Sequence, residues 1–495
     1  MQMKNKALIG ALACGVIAFT YQANADLFWD GADTTADADG GAGTWDTTAS
    51  NWDDLAVAGT NTTWDSNIAV FGPAGDIVTL GENITANQLY FNTGGYTFNS
   101  GGGDTITLGA SGGKRETSNI YLDETGTNTF NVNFNNNGNL FTVSADRGSN
   151  RIAVISGNIS GSGGFETFQG ARVTLSGDNT YTGKTRINAD TTTGSQLTVS
   201  SFNSVNGGTP LLASSSLGAP TTVANGTIEI GNSGKRASST LIYTGSGETT
   251  DRVINPRFNS SSKQTITANG GGLLKFTSDF VITRSSGNVS SGLILRGTGS
   301  GEIAGNLGAL PGFLEKEDTG TWTIGGDITV DRAIVDRGTL NIGGLLNPND
   351  ANTGTTTNTG NVVVNTNGTL NLLDDSVLSF IIEGAGVNNA LVGSGTASLD
   401  GDLLLDLTGA STTLSDSWNV VDVASLTESF GGTFLVRSTL GSFTESGGVW
   451  SIAENGAAYE FDESTGVLTV VVIPEPSSLA LLGLGGLLVA RRRRD

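Results

Sequence analysis

Histidine is absent from the 495 residues, and the one cysteine, Cys14, falls within the first 25. Without imidazole there is no Ser-His-Asp or Cys-His catalysis and no histidine metal site. Without cysteine the body has no disulfide, no thiolate nucleophile and no cysteine-bound metal. Proline is scarce, at 8 residues, and lysine is rare. Positive charge is also short: 25 Lys and Arg stand against 47 Asp and Glu, a formal net charge of -22. A surface this acidic repels phosphate backbones, so nucleic acid is not an expected partner. The charge suits a soluble secreted chain, with divalent cations as the counter-charge it would accept. Between the two ends no long apolar run occurs.

What is abundant is Gly, at 73 residues, together with Thr, Asn, Ser and Asp. Short alternating apolar runs interrupt this polar background, which separates the chain from disordered sequences. β-Branched residues suit strands, and Gly and Asn accept turn conformations. The composition predicts an all-β protein of many short strands and tight turns.

Both ends read as addresses. Residues 1–25, MQMKNKALIGALACGVIAFTYQANA, begin with Lys4 and Lys6, run through an apolar core from Ala7 to Phe19, and finish in Ala23-Asn24-Ala25. This is the pattern of a secretory signal peptide, with cleavage between Ala25 and Asp26 and the Sec export machinery as the implied partner. Lipoprotein processing at Cys14 is the alternative; Ala11 and the short apolar run before Cys14 argue against it. At the other end Pro474-Glu475-Pro476 can neither continue a strand nor start a helix before its last proline. Ser477 to Ala490 is apolar, and Arg491, Arg492, Arg493 and Arg494 form a basic stop. Positive residues stay cytoplasmic, which places the body on the far side of the inner membrane. The apolar run is shorter than the roughly 20 residues of a full span.

This tripartite end, IPEPSS followed by the Leu/Gly segment and four arginines, resembles the PEP-CTERM sorting signal. The resemblance implies a temporary membrane anchor, recognised and processed near the Pro-Glu-Pro by an exosortase-type protease. It also implies a Gram-negative host that makes exopolysaccharide.

The body carries degenerate repeats. In Gly170 to Ser200, GARVTLSGDNTYTGKTRINADTTTGSQLTVS, Val173 and Leu175 alternate with polar residues, as do Leu197 and Val199. Gly320 to Gly344 and Gly360 to Leu373 are fainter copies. One such unit cannot bury its apolar side alone, whereas stacked units bury a continuous inner column. LSGDNTYTGKT also resembles the autotransporter-associated β-strand repeat at Leu175, Ser176, Gly177, Asn179, Thr180, Tyr181, Thr182, Gly183 and Thr185. That resemblance implies a surface-exposed β-helix with a structural or adhesive role. An autotransporter ends in a membrane β-barrel; here a basic tail stands at the C-terminus, so another route to the surface is expected.

The expected organisation is a signal peptide (1–25), a Trp/Asp-rich N-terminal cap (26–65), β-solenoid repeats (66–373), a C-terminal β domain (374–473) and the sorting tail (474–495). The fold class is an elongated right-handed parallel β-solenoid with a C-terminal sandwich-like domain or closing coils. Its repeat region should form a rod on the order of 60 Å long. Trp29, Trp45, Trp52 and Trp64 are expected to cover the open end of the solenoid; stacking on sugar rings is their alternative use.

Candidate sites are few. Asp33, Asp37 and Asp39 form a weak calcium motif, and calcium is the one cofactor the motifs allow. Acid and base clusters occur at Lys114, Arg115 and Glu116, at Glu248, Asp251, Arg252 and Arg257, and at Glu315, Glu317 and Asp318. None has a spacing that specifies a reaction, so no catalytic residue is assigned. The expected function is an exported structural or adhesive protein of the cell surface or extracellular matrix, associated with exopolysaccharide. The alternative is a polysaccharide lyase, a glycosidase or a carbohydrate-binding protein on the same scaffold.

Overall fold

The computed structural model describes residues 26–472 except 34, 36, 66, 111–117, 149, 191, 286–289, 349–360, 440 and 455. In it the repeat unit from Gly170 folds as three short strands, Arg172–Leu175, Thr185–Ile187 and Gln196–Val199. Its strands bond to neighbouring coils of the chain. Arg172–Leu175 pairs in parallel with Gln196–Val199, setting Val173 beside Leu197 and Leu175 beside Val199. The next strand, Thr240–Tyr243, continues both rows with Leu241 and Tyr243. Alternation turns one face of each strand inward, and stacking makes those faces one apolar column.

The repeat motif itself is the joint between coils. Leu175 and Tyr181 are in the core, and the Tyr181 hydroxyl bonds Thr185 Oγ1 at 2.8 Å. Asn179 is fully buried: its Oδ1 accepts from the Ile159 amide at 2.7 Å and its Nδ2 donates to the Ser216 carbonyl at 2.7 Å. It therefore ties one coil to its neighbours through groups that the turn would otherwise leave unpaired. At Gly177 and Gly183 the backbone of the previous coil lies so close that a Cβ would sit 2.3 Å from the Gly157 oxygen and 2.4 Å from the Gly163 carbonyl carbon.

Three faces run along the stack. The first begins at Gly43–Trp45 and passes through Ile77–Leu80, Thr97–Ser100, Gly126–Phe130 and Arg151–Ile155 to the repeat unit. It continues through Lys263–Ala268, Ser291–Arg296 and Gly312–Lys316. At about 4.8 Å per strand this face is on the order of 60 Å long. The second face runs from Leu27–Trp29 through Ile68–Phe71 and Gln88–Phe91 to Ile254–Phe258. A third is built from Ile84–Ala86 to Ile159–Ser160 in the first half and from Gly308–Ala309 to Val436–Ser438 in the second. All these pairings are parallel. Among the described residues, the helical content is one turn at Val223–Gly226 and a 3-10 turn at Asn206–Gly208.

The coils do not stop at residue 373. Leu378 and Phe380 stack under Leu403 and Leu405, and Leu403 stacks in turn under Val436, all by parallel pairing. What changes along the chain is coil shape. Two 11-residue strands, Arg332–Ile342 and Val362–Leu372, each span what earlier coils divide between two strands. Longer strands with the same pairing produce the longer apolar runs read from the sequence. Among the described residues, antiparallel strand pairing at this end makes a five-stranded sheet ordered Ser417–Asn419, Val467–Val471, Ala457–Asp462, Val449–Glu454 and Thr444–Ser446, beside isolated antiparallel bridges at Ile382–Asn388 and Arg437–Ser442. Trp418, Tyr459 and Phe461 pack it onto the last coils within one continuous core.

The N-terminal end is closed differently. Parallel stacking begins already at Leu27–Trp29, and Trp52–Asp53 pairs antiparallel to its free edge, followed by Asn61–Thr62. Trp29, Trp45 and Trp52 are fully buried and Trp64 is 5% exposed. Their rings meet at 4.7 to 5.1 Å, mostly edge to face, and rest on Phe71. Each buried ring contributes roughly 2–3 kcal/mol or more from lost apolar surface. Rings this enclosed cannot offer a face to a sugar.

Candidate functional site

Each of the four N-terminal tryptophans is followed by an aspartate: Trp29-Asp30, Trp45-Asp46, Trp52-Asp53 and Trp64-Asp65. Alternation sends the ring into the core and the carboxylate the other way. Pairing then gathers acids. Carboxylate oxygens of Asp30, Asp33 and Asp39 lie within 4.8 Å of one another. Two of these three are residues of the sequence motif; Asp37 stays outside the group, and buried Asp30 takes its place. Asp53 stands beside Phe28 on the antiparallel strand.

Asp30 and Asp53 are both fully buried. Asp30 Oδ2 accepts from Asn61 Nδ2 at 2.9 Å, while its Oδ1 has no protein donor. Neither carboxylate oxygen of Asp53 has one. Burial, reinforced by Asp33 and Asp53, pushes the Asp30 carboxyl up to about 6. Asp53 is raised by burial and then by Asp54, Asp33 and Asp37. Exposed Asp33 is held down instead, because the Thr35 hydroxyl and amide both donate to its Oδ1 at 2.7 Å.

In the cluster at 248–252 the charges serve the backbone. Glu248 accepts from the amides of Phe202 and Asn203 at 2.8 and 2.6 Å. Asp251 accepts from Val205 and Asn206 at 2.6 and 2.7 Å. Between them the Thr250 hydroxyl donates to the Asn203 carbonyl, and the guanidinium of fully buried Arg252 donates to the carbonyls of Gly226, Phe202 and Leu217. One short segment thus docks the excursion 200–227. Arg257 pairs instead with Glu229, at 3.1 Å, alongside Lys184 at 2.7 Å and Arg186 at 3.3 Å. Burial opposes the charge of Glu229, but these three cations outweigh it and hold its carboxyl below the ordinary range.

Glu317 pairs with Arg296, and Asp318 accepts from the Gly297 amide at 3.2 Å. Burial, then Glu317, raises Glu315. Lys316, which no sequence pattern singled out, stands in an inward row between Leu295 and Val335 and is fully buried. Its Nζ donates to the carbonyls of Glu317, Asp318 and Arg337 at 2.6, 2.8 and 3.0 Å. Lys114, Arg115 and Glu116, the Ala25–Asp26 cleavage junction on its leader side, and the tail from Pro474 to Arg494 lie outside the described residues.

Outward positions form polar rows. One runs Thr249, Lys275, Glu302, Thr323, Asn341, Asn371, Ser398 and Ser429 across successive coils. Asn341 Nδ2 bonds Thr323 Oγ1 at 3.0 Å, and Asn371 Nδ2 bonds Asn341 Oδ1 at 2.9 Å. Lys275 and Glu302 pair within it at 2.7 Å, and from Thr323 on the row presents hydroxyl and amide groups at the spacing of the coils.

Comparison with known proteins bears on both the tail and the body. The PEP-CTERM protein-sorting motif matches residues 472–494. The chain carries this sorting motif at its C-terminus. The body is similar to the adhesin BmaC autotransporter of Brucella suis biovar 1 (strain 1330), 27% identical over 463 residues. The match covers 77% of this chain and 13% of that much longer relative. No solved structure matches.

Proposed function

We infer that this chain is an exported protein of the cell surface or extracellular matrix. Its solenoid acts as a structural or adhesive rod, and its polar rows contact exopolysaccharide. The observation that carries the reading is the coupling of a sorting motif to a long parallel stack whose outward row from Thr323 to Ser429 repeats hydroxyl and amide groups. Such rows offer a polymer many weak, equivalent hydrogen bonds, which suits avidity more than turnover. The autotransporter relative is named as an adhesin, which supports the same reading. A lyase or glycosidase would need acids free to act on substrate; Glu248 and Asp251 instead spend their oxygens on backbone amides.

In this reading Sec exports the chain, the apolar segment and Arg491–Arg494 hold it in the inner membrane, and an exosortase-type protease processes it near Pro474-Glu475-Pro476. The test is fractionation of the exporting cell with one tag in the body and a second at the C-terminus. The body tag is expected at the surface without the second tag. Deletion of 474–495 should send folded protein to the medium, and Ala in place of Pro474-Glu475-Pro476 should leave it in the membrane. Both tags together at the surface would overturn the processing. Failure of the purified body to co-sediment with the host's exopolysaccharide would overturn the polymer contact.

A further inference from the structure

We propose that the N-terminal cap binds one calcium ion between the loop Asp33–Asp39 and the first strand, with Asp30, Asp33 and Asp39 as carboxylate ligands and Asp53 as a buried supporting charge. This goes beyond the surface role and does not rest on it. Two independent observations carry it. The first is geometric: oxygens of three carboxylates, from two points on one loop and from the strand end before it, converge within 4.8 Å. The second is the state of the buried acids. Fully buried Asp30 contributes a carboxylate oxygen to that group, and its Oδ1 has no protein donor; both oxygens of Asp53 lack one as well. A buried carboxylate without donors costs several kcal/mol unless a counter-charge meets it. Arg and Lys supply that counter-charge at Glu229 and Glu317, but none pairs with Asp30 or Asp53 among the described residues.

The donor chemistry selects the ion. All donors are hard oxygens and the chain has no His, which disfavours zinc and copper. Asp33 and Asp39 are exposed, so water can complete an irregular shell; calcium accepts that, whereas magnesium demands a near-ideal octahedron. Binding would cross-link the loop to the first coil and the antiparallel strand above it, closing the cap where the stack would fray. Asp53 and Asp30 follow Trp52 and Trp29, so the ion would sit next to the aromatic cluster and perturb its emission.

The experiment uses the exported chain, stripped with chelator, titrated with calcium chloride by calorimetry and followed by tryptophan emission and thermal melting. One calcium per chain is expected, with a Kd of roughly 10⁻⁴–10⁻³ M as in extracellular modules, and a higher melting temperature at saturation. Asp30→Asn tests the buried ligand. The double variant Asp33→Asn/Asp39→Asn alters only exposed side chains, so it keeps the test valid if Asp30→Asn does not fold. Each should weaken binding at least about tenfold, because affinity follows the carboxylate count. Asp37→Asn should bind as the parent does. Absence of a calcium effect at 10 mM would overturn the site. So would equal shifts in the parent and the double variant, or equal loss in Asp37→Asn. An equal response to magnesium would overturn the choice of ion.

Discussion

Replacing Arg252 by methionine isolates a device that holds the longest excursion of the solenoid. Between the strand ending at Val199 and the one beginning at Ile228, residues 200–227 form an insertion that must be docked back onto the coils. Arg252 does this from the core side. Its guanidinium donates to the carbonyls of Phe202 at 2.9 Å, Leu217 at 3.2 Å and Gly226, three points spread across the excursion. Burial lowers its pKa to about 10, so it stays charged at neutral pH. Methionine keeps most of the volume and none of the donors. Each orphaned buried carbonyl costs about 1–3 kcal/mol, and removal of the buried charge returns part of its desolvation cost. The net loss should be about 2–4 kcal/mol. Because a solenoid's coils depend chiefly on their neighbours, the loss should be local. Hydrogen exchange followed by mass spectrometry is the assay. Amides of 200–227 and of the 248–258 strands should exchange faster, while those of 68–145 stay as in the parent. Unchanged exchange in 200–227, with an unchanged unfolding midpoint, would refute the docking role.

Lys316→Met should cost about 2–4 kcal/mol in urea unfolding, since three carbonyls around the bulge between Val335 and Arg337 lose their donor; a neutral result would mean that those carbonyls find water. Asn179→Ala should cost about 2–3 kcal/mol and expose the Ile159 amide to exchange, because the side chain bridges two coils. Trp45→Ala, at the centre of the ring cluster, should lower stability by about 3–5 kcal/mol, read as a lower unfolding midpoint in urea. Glu229→Gln should change stability by less than about 1 kcal/mol in salt, because its three cationic partners are each partly exposed and screened.

Residues alone determined the class of this protein. Alternating Val173, Leu175, Leu197 and Val199 with Gly/Asn turns require strands that cannot bury themselves singly, and the PEP-CTERM motif at 472–494 addresses the chain outward. These are local properties, of period two or of a short contiguous stretch, and they survive without contacts. The motif LSGDNTYTG was legible as a repeat, but the reason for its asparagine was not. Asn179 answers Ile159 and Ser216, on coils that only stacking brings near. The same limit explains the charges. Nothing in the sequence marks Arg252 or Lys316 as buried, since charge is normally exposed, whereas the stacked coils enclose both, and backbone carbonyls replace water around them. The choice between a sandwich-like domain and closing coils after residue 373 was open for a related reason: parallel and antiparallel strands share an alternating pattern, so the pairing there could be decided only by neighbours in space. At the N-terminus, Asp33 and Asp39 stood out by spacing, but Asp30 joined them from the end of the first strand, and an antiparallel strand closing on the first coil brought Asp53 near. Contacts between distant residues depend on how the coils stack, and that arrangement exists only once the core has formed.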